Sequence, residues 1–123
     1  MAAGSKKLAV ARRHLERVQN AWSEPDWDDL SLYGFYCLEA AVEAAALHFG
    51  IRTSTKHWEK VKVASVLHKK HGLPDVENLL VDLNSARKAT AYGDTELSDD
   101  LDAEAIAVEV ENYVDAVTAI VGK

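Results

Sequence analysis

The fold of this chain is decided by the stretch Tyr33-Gly34-Phe35-Tyr36-Cys37-Leu38-Glu39-Ala40-Ala41-Val42-Glu43-Ala44-Ala45-Ala46. On a helix drawn through this stretch, apolar and small side chains cover most of the circumference instead of a single stripe. A helix with that pattern is typically contacted by neighbours on several sides. We therefore predict that residues from about Trp27 to Phe49 form the central helix of an all-helical domain.

A first helix is predicted before the central one, and it ends near Pro25, since proline disfavours helical geometry at the residue before it. Its apolar residues recur at spacings of three and four, and they are Leu8, Ala11, Leu15, Val18 and Trp22. The basic residues of this helix face outward or flank the stripe, and they are Lys7, Arg12, Arg13 and Arg17.

Three more helices are predicted after the central one. The hydroxyls of Thr53, Ser54 and Thr55 suit the cap of a third helix. Pro74 fits the first turn of a fourth helix, where a missing N–H costs nothing, and Gly93 ends that helix. The segment from Ser98 to Asp102 places oxygen-bearing side chains at the start of a fifth helix, where they match its dipole, and that helix continues to Val121.

Length and composition indicate one domain covering residues 1–123, an antiparallel bundle of about five helices. With 123 residues and 48% hydrophobic content, the chain is long enough for one core and short for two. No apolar run reaches the roughly 18 residues of a membrane helix, so we expect no membrane association and a cytoplasmic protein. Cys37 is the only cysteine, and its apolar surroundings predict a buried thiol.

Charge is distributed unevenly along the chain, whose formal net charge is -6. An acidic protein repels phosphate unless its basic residues are gathered locally. Residues 51–73 gather six Arg and Lys against one Glu, together with three histidines and Trp58. Any phosphate-binding face should include this segment, although a solvated helix face explains it equally simply. Trp58 suits a stacking platform or, as tryptophans at helix ends more often do, an anchor in the core.

Arg87 points along the apolar stripe of the fourth helix. At 100° per residue it lies within roughly 40° of Leu80 and Leu83. A buried guanidinium needs an anionic partner, because leaving it unpaired costs several kcal/mol. The partner is either an internal carboxylate, for which Glu39 and Glu43 on the central helix are the obvious candidates, or a phosphate from outside.

Two segments together resemble the HEPN family, named for its higher-eukaryote and prokaryote nucleotide-binding members. One is the run from Tyr33 to Ala46, and the other is Leu83-Asn84-Ser85-Ala86-Arg87 with Tyr92-Gly93. The resemblance implies a bundle of four or five helices that forms homodimers. Many members are metal-independent ribonucleases of toxin–antitoxin, CRISPR and other defence systems, and others are inactive binding relatives.

The chain departs from the motif of the active members, an arginine followed after four to six residues by a histidine. Arg87 matches the arginine, but Tyr92 stands where the histidine would be. RNA cleavage through the 2′-hydroxyl needs a base with a pKa near neutrality, whereas phenol titrates near 10. The retained half of the motif therefore favours binding over catalysis.

We expect an RNA- or nucleotide-binding homodimer that does not catalyse a reaction, in a toxin–antitoxin or defence context. The expected ligand-binding residues are Asn84, Arg87 and Tyr92 with His57 and Lys60 from the third helix. One alternative is a divergent ribonuclease using Arg87 with Tyr92 or His57, and another is a structural partner subunit of a nucleotidyltransferase. We expect no metal and no cofactor.

Overall fold

The computed structural model describes residues 4–23, 27–53, 56–91 and 103–121, and within these ranges it contains five helices and no strand. The helices are α1 (Ser5–Ser23), α2 (Trp27–His48), α3 (His57–His71), α4 (Glu77–Ala91) and α5 (Ala103–Val121). The prediction of an all-α bundle of five helices is confirmed.

The second helix, α2, is the centre of the bundle, as its apolar pattern predicted. All four other helices pack against it, while α1 also packs against α5 and α3 against α4. Small side chains let these neighbours approach closely. At Gly34, for example, an added Cβ would lie 3.4 Å from Leu83 Cδ1 of α4.

The core contains two buried side chains with polar hydrogens, the thiol of Cys37 and the hydroxyl of Tyr113. The Cys37 thiol donates a hydrogen bond to the Ala11 carbonyl across 3.1 Å, which ties α2 to α1. Burial raises the pKa of this thiol to about 12, and the prediction of a buried thiol is confirmed. Tyr113 of α5 is fully buried as well, and its hydroxyl has no hydrogen-bond partner among the described residues.

The start of α3 differs from its prediction. Lys56 occupies the N-cap position and makes no side-chain cap hydrogen bond, whereas the hydroxyls of Thr53, Ser54 and Thr55 were expected to cap this helix. Ser54 and Thr55 lie outside the described residues. The end of α3 needs a glycine, because Gly72 has a left-handed backbone conformation with φ of 72°.

The connection from α3 to α4 is held by side chains on both sides of Pro74. His68 Nδ1 donates to the Leu73 carbonyl across 2.7 Å, and the backbone N–H of Glu77 donates to Asp75 Oδ1 across 3.1 Å. The fourth helix thus begins three residues after Pro74 and not with it. The predicted end of the fourth helix, at Gly93, and the predicted start of the fifth, in residues 98–102, lie outside the described residues.

One segment, Leu30–His48, is long and apolar enough to cross a membrane by length and composition alone. Within the bundle 72% of it is buried, and the core helix of a soluble protein passes the same test. Its apolar surface is accounted for by its position at the centre of the fold.

Candidate ligand-binding groove between α3 and α4

A groove of about 350 Å³ lies between α3 and α4, with α2 behind it. Each of the two flanking helices contributes four residues at the same spacing, so that one face of each helix lines the groove. The full lining is Phe35, His57, Trp58, Val61, Lys62, Leu80, Val81, Asn84 and Ser85. We call this surface the α3–α4 groove. It brings together two residues that the sequence predicted to bind a ligand, His57 and Asn84.

Trp58 forms an exposed wall of the α3–α4 groove, with 54% of its surface open to solvent. The alternative that it anchors the core is therefore wrong. Two ammonium groups lie over its ring, Lys62 Nζ at 4.7 Å and Lys56 Nζ at 5.8 Å from the ring centroid. Both distances are within the range of a cation–π interaction, so the indole holds two positive charges at the mouth of the groove.

His57 is held in a fixed orientation at the rear of the α3–α4 groove. Its Nδ1 lies 2.5 Å from Oε2 of Glu39 on α2, and in the tautomer with the proton on Nδ1 the ring donates to this oxygen. The ring also meets Phe35 edge-on, with centroids 5.0 Å apart. A carboxylate bound to Nδ1 leaves Nε2 as the ring nitrogen suited to contact a ligand.

The partner of His57 belongs to a larger group of charges that joins three helices. Lys60 of α3 lies 2.6 Å from Glu43 and 3.3 Å from Glu39, and Lys7 of α1 lies 2.9 Å from Glu43. We call these residues, with His57, the ion cluster. It connects α1 and α3 through the two glutamates of α2.

Ion pairing outweighs burial in the ion cluster. Burial alone would raise the pKa of Glu43, but the hydrogen bonds and charges of Lys60 and Lys7 lower it below the usual range. Burial alone would likewise lower the pKa of Lys60, but Glu43 and Glu39 raise it above its usual value. Glu43 and Lys60 are therefore charged at neutral pH.

Lys60 was expected to contact a ligand, and the structure instead places it in this internal role. Only 7% of its surface is exposed, and its ammonium is paired with two carboxylates. Its contribution to the α3–α4 groove is to hold Glu39, which in turn orients His57. The glutamates that were considered as internal partners for Arg87 are paired here with Lys7, His57 and Lys60.

Two predicted site residues cannot be placed in the α3–α4 groove. The side chain of Arg87 and all of Tyr92 lie outside the described part of the chain. Position 87 is in α4, one turn after Asn84. The roles of Arg87 and Tyr92 therefore stay predictions.

Several residues of the α3–α4 groove were not predicted to bind a ligand. Lys62, Val81 and Ser85 line it, and the signal that could have revealed them is the matching spacing of Trp58 with Lys62 and Val81 with Ser85. Among the described residues there is no group of three or more His, Cys, Asp or Glu side chains that could hold a metal ion.

No protein-family model matches the sequence, and no curated protein is similar enough to it to count as a relative. The HEPN resemblance therefore rests on the motifs quoted above.

Proposed function

We propose that this protein binds single-stranded RNA or a nucleotide in the α3–α4 groove and does not cleave it. The observation that carries the proposal is the exposed indole of Trp58 with two lysine ammonium groups held over its ring. The HEPN-like motifs support the same ligand class independently, and they extend the proposal to a homodimer in a toxin–antitoxin or defence system.

Each part of a nucleotide has a matching group in the α3–α4 groove. A base can stack on the indole of Trp58, an interaction worth about 1–3 kcal/mol per base. Lys62 can then exchange its contact with the ring for a contact with the phosphate beside that base. Asn84, across the groove, has both donors and an acceptor for a base edge or a ribose hydroxyl. Arg87, one turn further along α4, is the proposed second phosphate ligand, with Tyr92 following it.

A fluorescence titration with a short single-stranded oligoribonucleotide at several salt concentrations tests the proposal. We expect Trp58→Ala to weaken binding by about 5- to 150-fold, the equivalent of one stacked base. Lys62→Gln should weaken it and reduce the salt slope by about one. Lys69→Gln is the matched control, because it removes the same charge from an exposed position of α3 that does not line the groove. Binding that is insensitive to salt, or equal in Trp58→Ala and the wild type, would overturn the proposal.

A second candidate, a metal-independent endoribonuclease, is favoured by the pairing of His57 with Glu39 in the α3–α4 groove. A carboxylate that fixes an imidazole in one tautomer is a common arrangement for a general base. Such a base would take the proton of the RNA 2′-hydroxyl, whose oxygen attacks the adjacent phosphorus and releases the 5′-oxygen of the next nucleotide. The products would be a 2′,3′-cyclic phosphate and a 5′-hydroxyl.

Structured RNA incubated with purified protein in EDTA separates the two candidates. An enzyme should give 2′,3′-cyclic phosphate ends, and both His57→Ala and Arg87→Ala should abolish them. Equal degradation by the wild type and both variants would indicate a contaminating nuclease and remove the enzyme candidate. RNA that is bound but left intact supports the binding function.

A further inference from the structure

A second pocket, of about 330 Å³, lies between α1 and α2. Its lining is Val10, Arg13, His14, Arg17 and Tyr33. The four α1 residues occupy positions i, i+3, i+4 and i+7, so they share one face of that helix. We call this the α1–α2 pocket. None of its residues lines the α3–α4 groove.

Arg17 is oriented by Tyr33 across the α1–α2 pocket. Its guanidinium donates to the tyrosine hydroxyl across 3.0 Å, and its central carbon lies 4.9 Å from the ring centroid. A guanidinium has five N–H donors, and the bond to Tyr33 uses one of them. A long side chain that is already held in place loses less conformational entropy when a ligand binds.

Positive charge is concentrated in the α1–α2 pocket without a carboxylate in its lining. Arg13 and Arg17 are four residues apart on one helix, a spacing at which like charges destabilise each other. Glu16, the one acidic residue of α1, is exposed and does not line the pocket. A bound oxyanion would relieve the repulsion between the two arginines.

His14 gives a second indication that the α1–α2 pocket accepts a ligand. Its ring is stacked against Tyr33 at 5.9 Å and tilted against Tyr36 at 5.8 Å, and its buried Nδ1 has no hydrogen-bond partner among the described residues. Burial, together with the charges of Arg17 and Arg13, lowers the pKa of His14, so the imidazole is neutral at neutral pH. A buried polar atom without a partner is unfavourable, and the hydroxyl of a bound phosphate monoanion could supply that partner.

We infer that the α1–α2 pocket is a second binding site, for a small ring compound that carries a phosphate monoester. The phosphate oxygens lie between Arg13 and Arg17, and the ring packs against Tyr33 beside His14. The volume is at the small end of the range for ligand pockets, which fits one phosphorylated molecule. The inference is independent of the proposed RNA-binding function, because the two surfaces share no residue.

NMR titration of the ¹⁵N-labelled full chain with adenosine monophosphate, inorganic phosphate and adenosine tests this site. We expect saturable shifts at Tyr33 and at the His14 ring with the monophosphate, weaker binding of inorganic phosphate, and no binding of adenosine. Arg13→Gln should weaken binding about tenfold or more, the effect of losing one charge-assisted hydrogen bond. Arg12→Gln is the matched control, because it removes the same charge from the preceding residue, which is exposed and does not line the pocket.

Three results would overturn the inference. Equal weakening by Arg12→Gln and Arg13→Gln would mean general attraction to a basic helix. Shifts confined to the Trp58 indole would place the ligand in the α3–α4 groove instead. If inorganic phosphate bound as tightly as adenosine monophosphate, the ring of the ligand would not contribute to binding, and the proposed contact with Tyr33 would be wrong.

Discussion

Replacing Lys60 by methionine will remove the only α3 ammonium of the ion cluster while keeping a side chain of similar length. In the wild type this ammonium is paired with Glu43 at 2.6 Å and with Glu39 at 3.3 Å. The side chains are little exposed, 8% for Lys60, 9% for Glu39 and 15% for Glu43. The variant therefore leaves two carboxylates in a poorly hydrated place with fewer positive charges around them.

The expected loss of unfolding free energy is about 3 kcal/mol at neutral pH. Removing one partner of a fully buried ion pair costs about 3–5 kcal/mol. We take the low end because Glu43 keeps its contact with Lys7, and Glu39 keeps its hydrogen bond to His57. The Lys7 side chain is 50% exposed, so its remaining contact contributes only about 0.2–1 kcal/mol.

Urea unfolding followed by circular dichroism measures this loss. With a slope of about 2 kcal/mol per M, the midpoint of Lys60→Met should fall by about 1.5 M. Lys62→Met is the matched control, since its ammonium is exposed and interacts with an exposed indole, and it should cost less than about 1 kcal/mol. Adding Glu43→Gln to Lys60→Met should recover part of the loss, and the deficit of Lys60→Met should shrink in acid as the orphaned carboxylates become protonated.

The reasoning fails if Lys60→Met and Lys62→Met unfold at the same urea concentration. It also fails if Glu43→Gln lowers the stability of Lys60→Met further, because the glutamate would then have contributed independently of the lysine.

Three further predictions concern stability and reactivity. Burial and two neighbouring arginines lower the pKa of His14 in the folded state, so the unfolded chain binds the proton more readily. The unfolding free energy should therefore fall as the pH drops below the ordinary pKa of histidine. His14→Phe should flatten that part of a plot of urea midpoint against pH. Cys37, whose buried thiol has a pKa raised to about 12, should react with a thiol reagent only as fast as the protein unfolds, and immediate labelling of the native protein would contradict its burial. Gly72→Ala should lower the unfolding free energy by about 1 kcal/mol, because φ is positive at Gly72. Gly34→Ala should be neutral or stabilise helix α2 by up to about 1 kcal/mol, since the added Cβ would lie 3.4 Å from the nearest side-chain carbon. A lower thermal unfolding midpoint for Gly34→Ala than for Gly72→Ala would contradict both expectations.

The fold was predictable because hydrophobic periodicity carries most of it. Apolar residues around the whole circumference of α2 correctly placed that helix at the centre, and its observed range, Trp27–His48, ends within one residue of the prediction. The starts of helices were less predictable where several residues that can begin a helix, such as proline and residues with side-chain oxygens, are adjacent in the sequence. Asp75 caps α4 although Pro74 offered an equally good start, and the sequence does not show which of two adjacent signals the backbone uses.

The candidate site was predictable only in part, because spacing along one helix does not reveal which neighbour faces it. Glu39 and Glu43 were correctly identified as internal carboxylates, but they were considered only as partners for Arg87. Their partners come from α1 and α3, and Lys60 looked in the sequence like one more basic residue of an exposed face. A lysine has a long apolar stem and can deliver its charge to a buried carboxylate, which residue type alone does not indicate.

The ion cluster divides its members between the two halves of the sequence. Lys7, Glu39 and Glu43 precede the connection between α2 and α3, and His57 and Lys60 follow it. If the chain were cut at that connection, the first fragment would present two carboxylates with one cation, and the second would present the ammonium of Lys60 and the imidazole of His57. Like charges would then disfavour association of two identical fragments, and opposite charges would favour association of the two different fragments. The ion cluster thus places groups of complementary charge on the two sides of the α2–α3 connection.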